Sequence, residues 1–502
     1  MSAVRRRGTP EKRDSRRFIP GSRKKDFSSR MKIPPLSFDP QKTCGMPHVL
    51  KVAFPLIMAS AGHALNLFCD RMMLGRYSAE AVAAAMPSGL TNFTISCFFI
   101  GTVGYVNSFV AQYTGAGQRS RVGVSIWQAV LIALIGGLFM ASGYFWGGWL
   151  MTLFGHTDAV LQQEIVYFKL LSLFAWVPLL IGAFGAFWSG RGLTLTIMIV
   201  NVVMVGSNIP FNYAFIYGNW GAPELGIRGA AYGTILSGLI GLVVYLFLIF
   251  RKANREVYGT WPPRLEFGLF KRILRYGAPN GVQLLLELSS FNIFIILLGN
   301  VGADAIEKMR IQEATTIAFS LNSIAFIPML GLGQTISILV GQSVGAGLPA
   351  AAKRAVANGR FLVMTYMTIM TIIFAFCPGP LLSLFVRSGD LAQVPTMELA
   401  RTFVLFIAMF TFCDGVQMLY VSAIKGAGDT AFAMWGSAIL SWVIWIIPSL
   451  IAMKFHAPVN FYWGVLVFYT FFIALVFYLR FRQGKWRKMC VIERELVPQH
   501  EV

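Results

Sequence analysis

Residues 281–299 read GVQLLLELSSFNIFIILLG, a run in which Glu287 carries the single charge. A helix rises 1.5 Å per residue, so about 20 apolar residues cross the hydrocarbon core of a bilayer. HALNLFCDRMMLG at 63–75 sets Asp70 in a similar stretch, and LFIAMFTFCDGVQMLYV at 405–421 does so for Asp414. A carboxylate at bilayer depth costs several kcal/mol, so such residues face a bundle interior or a wet cavity and mark an ion or substrate path. The plainer reading is a helix end or an interhelical hydrogen bond, which three acids from well-separated spans make harder to sustain.

The rest of the chain has the same character. It is 56% hydrophobic and 13% charged, and long apolar runs recur between short polar breaks, which excludes a soluble multidomain enzyme. A net charge of +21 suggests nucleic acid only until its distribution is read. Lys and Arg crowd into Met1–Thr43, the loop Arg251–Arg275 and the end Arg480–Val502. That is the bias of segments facing anionic lipid on the cytoplasmic side, so membrane lipids are expected partners and nucleic acid is not. The six cysteines form no CxxC pair and are expected as buried free thiols, and the five histidines have no zinc-ligand spacing.

The apolar runs predict an all-α membrane protein of twelve transmembrane helices. They lie near 48–74, 81–112, 122–154, 160–189, 193–217 and 226–251, then 270–299, 311–342, 356–386, 395–424, 430–454 and 459–482. The expected organisation is a basic, disordered cytoplasmic tail (1–43), a six-helix lobe (44–251), a cytoplasmic linker (252–269), a second six-helix lobe (270–483) and a cytoplasmic tail (484–502). Loop charges put both termini in the cytoplasm of a multi-pass cell-membrane protein, with Arg76, Arg228, Lys308 and Arg310 as exceptions. The halves repeat: AQYTGAGQRSR (111–121) answers GQSVGAGLPAA (341–351), SGRGLTLT (189–196) answers KGAGDTAF (425–432), and Pro55 answers Pro279. Six helices per half make the repeats parallel, around a central cavity between halves that rock.

Side chains at helical spacing surround each acid. Gln283, Ser290 and Phe291 share a face with Glu287, and Thr411, Gln417 and Met418 share one with Asp414. Sodium prefers hard oxygens, which two carboxylates with amide or hydroxyl donors supply. A lipophilic organic cation wants the same negative charge within aromatic walls. Competition between two such cations is a physical basis for antiport. On the first helix, Asn66 and His63 stand one and two turns before Asp70, with His63 either a proton shuttle or a packing group. Arg71 points elsewhere and is expected to snorkel.

FPLIMASAGHALNLFCDRMMLG (54–75), FVAQYTGAGQ (109–118), NIPFNYAFIYGNWGAPELGIRGAAYGT (208–234), YGAPNGVQLLLEL (276–288), FIPMLGLGQTISILVGQSVGAG (326–347) and FCDGVQMLYVSAIKGAGDT (412–430) follow in order. Together they resemble the multidrug and toxic compound extrusion (MATE) family, in its NorM-like branch. The resemblance implies a secondary transporter, not an enzyme, with no cofactor beyond a coupling sodium ion or proton. It implies organic-cation drugs or dyes as substrates and a monomeric state. It implies cation coupling by Glu287, Asp414 and Asp70, and substrate contact by Phe291. In some relatives the fifth helix carries an Asn…Asp pair beside the first-helix acid; here the residues are Asn208 and Asn212, which leaves a neutral, oxygen-rich cluster. The gap NVGADAIEKMRIQE (300–313) is longer than the family pattern, with Glu313 expected near the start of helix eight. A lipid-linked intermediate flippase of the broader fold is the main alternative, and would want a cationic cavity for a diphosphate. An intramembrane transferase would need a metal-binding acidic cluster or a nucleophile–base pair.

Overall fold

The structure, a computed structural model, describes residues 44–385 and 394–498, and the expected basic tail Met1–Thr43 lies outside them. Twelve helices among these residues are long and apolar enough to cross a membrane: α1 Met46–Tyr77, α2 Ala79–Gly115, α3 Arg119–Thr152, α4 Asp158–Ser189, α5 Thr194–Tyr217 and α6 Ile227–Ile249, then α7 Phe267–Gly299, α8 Ala305–Gly345, α9 Pro349–Phe376, α10 Val394–Ala427, α11 Thr430–Lys454 and α12 Val459–Arg482. No strand occurs among the described residues. Hydroxyls within the spans turn back on their own helices, as Thr335 does to the Gly331 carbonyl (2.8 Å) and Thr470 to that of Leu466 (2.8 Å). Such bonds satisfy these hydroxyl protons without water.

Several helix limits differ from the sequence expectation, each for a local reason. Helix α8 begins at Ala305, well before position 311, because Asp304 and Glu307 form a capping box. The Asp304 carboxylate accepts from Glu307 N–H (2.7 Å) and Glu307 accepts from Ala303 N–H (2.7 Å). Glu313 is therefore exposed in the helix body and has no N-terminal role. Helix α9 starts at Pro349, suited to a first turn, and stops at Phe376 because Pro378 and Pro380 follow. In α11, residues Ser441–Ile446 widen into a π-helical segment just before Pro448, whose ring and missing N–H disrupt the regular ladder. All six cysteines are free, but only Cys44 and Cys97 are fully buried and Cys377 is exposed.

Packing gathers the second-half helices around Trp463, which is stacked on Phe403 (4.7 Å between centroids) and Phe319 (5.2 Å). The first-half helices build a separate core from residues such as Phe109, Phe184, Phe187 and Tyr245. The two bundles meet along α2–α7 and α1–α8. At the end carrying most basic loops, the repeated Gly-Ala-Gly turns cross. A β-carbon on Gly115 would overlap the Gln342 carbonyl, and one on Gly345 would overlap that of Gln112. Only glycine permits so close a backbone approach. Gln112 donates to the Gly426 carbonyl (3.0 Å) and Gln342 donates to that of Gly190 (2.9 Å). Each repeat's glutamine thus closes on the other's Gly-X-Gly turn.

The segments outside the spans are packed as well. The linker holds a short helix, Lys252–Tyr258, and its Thr260 and Arg264 carbonyls accept from Trp127 (2.9 Å) and Gln128 (2.8 Å) of α3. After α12 the chain folds back, with Trp486 and Val491 each 1% exposed.

Candidate cation site

Asp70 is buried on α1, where Asn212 of α5 donates to its Oδ1 and Thr234 of α6 donates to its Oδ2 (3.5 Å). Asn212 also donates to Asn208 Oδ1 (2.9 Å), and Asn208 donates to the Thr234 hydroxyl (3.5 Å). The four side chains form a closed polar ring in which one carboxylate is the single acid. Asn212 Oδ1 and Asn66 Oδ1 are buried without a protein partner. Arg71 and His63, by contrast, are both exposed. Thr234 closes the α6 side of the ring. In sequence it is one of several polar side chains in that helix, with Arg228, Tyr232 and Ser237, and nothing singles it out.

In the second half, Glu287 is half-buried on α7 and accepts from Gln283 Nε2 (2.9 Å), which also donates to Ser437 Oγ of α11 (3.0 Å). Asp414 is half-buried on α10, within electrostatic reach of Glu287. Gln283 Oε1 and the Ser290 hydroxyl are buried with no protein partner. Gln283 is 2% exposed and Ser290 0%, so each carries a desolvated oxygen with unused acceptor capacity. Among the described residues no three His, Cys, Asp or Glu side chains converge.

The surrounding wall is aromatic. Phe291 meets Phe319 edge-on (5.0 Å, 84°), and Phe319 stacks on Trp463. Met418 lies against the same core, beside Gly333, while Gln417 is half-buried. Thr411 is buried on α10, and its hydroxyl donates to the Ile407 carbonyl (2.7 Å). Two residues the sequence did not assign stand near the acids. Tyr469 of α12 is within reach of both carboxylates, and the Lys425 ammonium is within reach of Glu287. Lys425 reads as a loop charge, yet it lies three helical turns past Asp414, about 16 Å along the same face of α10.

The MatE family profile matches residues 55–214 and 279–451, two blocks that open on the paired prolines Pro55 and Pro279. The chain belongs to the MatE family. It is 26% identical over 454 residues to a probable multidrug resistance protein NorM of Thermotoga maritima, covering 90% of this chain and 95% of that protein. It is 25% identical over 418 residues to the multidrug resistance protein PmpM of Pseudomonas aeruginosa, covering 80% and 84%. Its fold is similar, at a TM-score of 0.78 and 18% identity, to an outward-facing multidrug resistance MATE family transporter of the MOP superfamily, with 90% of this chain and 97% of that one covered. This MATE chain is a multi-pass membrane transporter rather than an enzyme.

Proposed function

We propose that the chain exports lipophilic organic cations in exchange for sodium, by alternating access of two six-helix lobes spanning 44–251 and 270–483. The observation that carries this reading is that Glu287 and Asp414 stand within electrostatic reach of each other, with the buried, unpartnered oxygens of Gln283 and Ser290 on the same helix as Glu287. Two carboxylates with neutral oxygens can replace the hydration shell of a small cation. The same charge, walled by Phe291 and Met418, draws a flat organic cation by electrostatic and cation–π attraction. Whichever cation occupies the pair disfavours the other, and by linkage the disfavour is mutual. The multidrug resistance names of the relatives support drug export as the direction of transport.

The basic end, with Arg119, Arg121, Arg191, Lys353 and Arg354, faces the cytoplasm in this reading, and both termini with it. The protein works as a monomer in the cell membrane. A flippase for an anionic head group would meet Glu287 and Asp414 as repulsion. The test is dye efflux from proteoliposomes under an imposed sodium gradient and, separately, a proton gradient. Sodium-driven efflux is expected. Efflux driven only by protons would move the coupling to protonation of the same acids, and efflux under neither gradient would end the antiporter reading.

A further inference from the structure

The segment that follows α12 is anchored on one bundle and docked on the other. Trp486 belongs to the second-half core, stacked on Phe481 (5.1 Å, 6°), with its indole N–H donating to the Phe481 carbonyl (3.0 Å). Five residues later the chain has crossed over: Val491 and Ile492 are members of the first-half core, and Leu496 and Val497 pack against it. The Val491 N–H donates to Gln112 Oε1 (2.8 Å), so the glutamine that closes on Gly426 is gripped by the strap from its other side. Glu493 accepts from the Tyr113 hydroxyl (2.8 Å) and pairs with Arg272 at the start of α7 (2.7 Å) and more distantly with Arg121 of α3 (3.9 Å). Burial pushes the Glu493 carboxyl up, but its own backbone N–H, the Tyr113 hydroxyl and Arg272 outweigh that and hold it below the usual glutamate range. It is therefore ionised at neutral pH.

We propose that residues 485–498 form a strap that holds the basic ends of the two helix bundles together and must lift away before those ends part. This inference rests on the alternating-access reading above. The strap covers the place where the Gly-Ala-Gly turns cross, it contacts both bundles, and its docked half is tied by one buried backbone hydrogen bond and one carboxylate. Gln342, the equivalent of Gln112 in the other repeat, donates to Gly190 of the facing bundle. The strap adds to Gln112 alone a grip that the internal symmetry does not supply, and so biases the equilibrium toward the state closed at this end.

Cys44 supplies a reporter that does not depend on transport. It is fully buried where the start of α1 meets α8 and α9, with its thiol 3.6 Å from the Ser343 hydroxyl. With the other five cysteines replaced by serine, the labelling rate of Cys44 by a water-soluble maleimide reads the opening of this end in detergent. Glu493→Gln should raise that rate about two- to five-fold, the span expected for a partly exposed ion pair. A chain ending at position 490 keeps the Trp486 anchor but loses the docked half, and should raise the rate about tenfold or more. In a background free of native cysteines, Tyr113→Cys on α2 with Glu493→Cys, bridged by a reducible bifunctional thiol reagent, ties the strap to the first bundle and should stop dye efflux until the bridge is reduced. Unchanged Cys44 labelling in both variants, or full efflux with the bridge in place, would overturn the strap. A chain that transports nothing before bridging would count against the transport reading, while the Cys44 rates would still decide the strap.

Discussion

At the scale of single residues, the two halves carry acids in different company. Asp70 is ringed by Asn208, Asn212 and Thr234, all able to donate to it or to each other. Glu287 has Gln283 as a donor and the charge of Asp414 as a neighbour. Both sets keep an unpartnered buried oxygen, on Asn212 in the first and on Gln283 and Ser290 in the second, and what sets the second apart is a second carboxylate. Glu287→Gln and Asp414→Asn should each lower efflux at least about tenfold, since each removes a charged contact to the bound cation worth about 1.5–3 kcal/mol. Both variants should remain folded in the membrane. Vesicle efflux scored against the amount of monodisperse protein checks this, and wild-type rates in both would remove the site. The acids themselves were legible in sequence because a lone charge in an apolar run is a strong signal. Thr234 and Tyr469 were not, since a single Thr or Tyr in a membrane helix is unremarkable until packing decides which face it shares. Lys425 misled for the opposite reason, because a positive charge near a helix end is the ordinary mark of a loop.

At the scale of elements, periodicity and apolar length located all twelve helices, and local chemistry moved their ends. The Asp304–Glu307 box was written in the sequence, but the long polar gap masked it. The crossing of the Gly-Ala-Gly turns is the more instructive case. Repetition flagged Gly115 and Gly345 as landmarks, while the reason for glycine lies in the facing bundle and is invisible to one helix read alone. Gly345→Ala forces a β-carbon onto the Gln112 carbonyl, so the backbones must separate at a cost of roughly 1–3 kcal/mol. The expected result is faster amide hydrogen exchange across 112–118 and 342–348, with the outer turns of α2 and α8 unchanged. Exchange at the wild-type rate would mean that the crossing adapts freely. The packed end of the chain was the least legible element. KWRKMCVIEREL reads as a basic tail, and the burial of Trp486 and Val491 depends on two bundles that the sequence shows only as a repeat.

At the scale of the whole molecule, an internal duplication has kept its fold and let its chemistry diverge. The matching blocks open on Pro55 and Pro279, the glutamines close symmetrically on opposite Gly-X-Gly turns, and the strap then loads one of those contacts and not the other. In this account the second half exchanges sodium for the organic cation, and the first half, with Asp70 as its one acid, serves a separate step. On this reading sodium and the organic cation contend for Glu287 and Asp414. Dye binding to the purified protein in detergent, titrated with sodium at constant ionic strength and repeated in Asp414→Asn, tests it most directly. Sodium should weaken dye binding competitively in the wild type and have no effect in the variant. Competition by pH alone, with sodium inert, would contradict the sodium assignment.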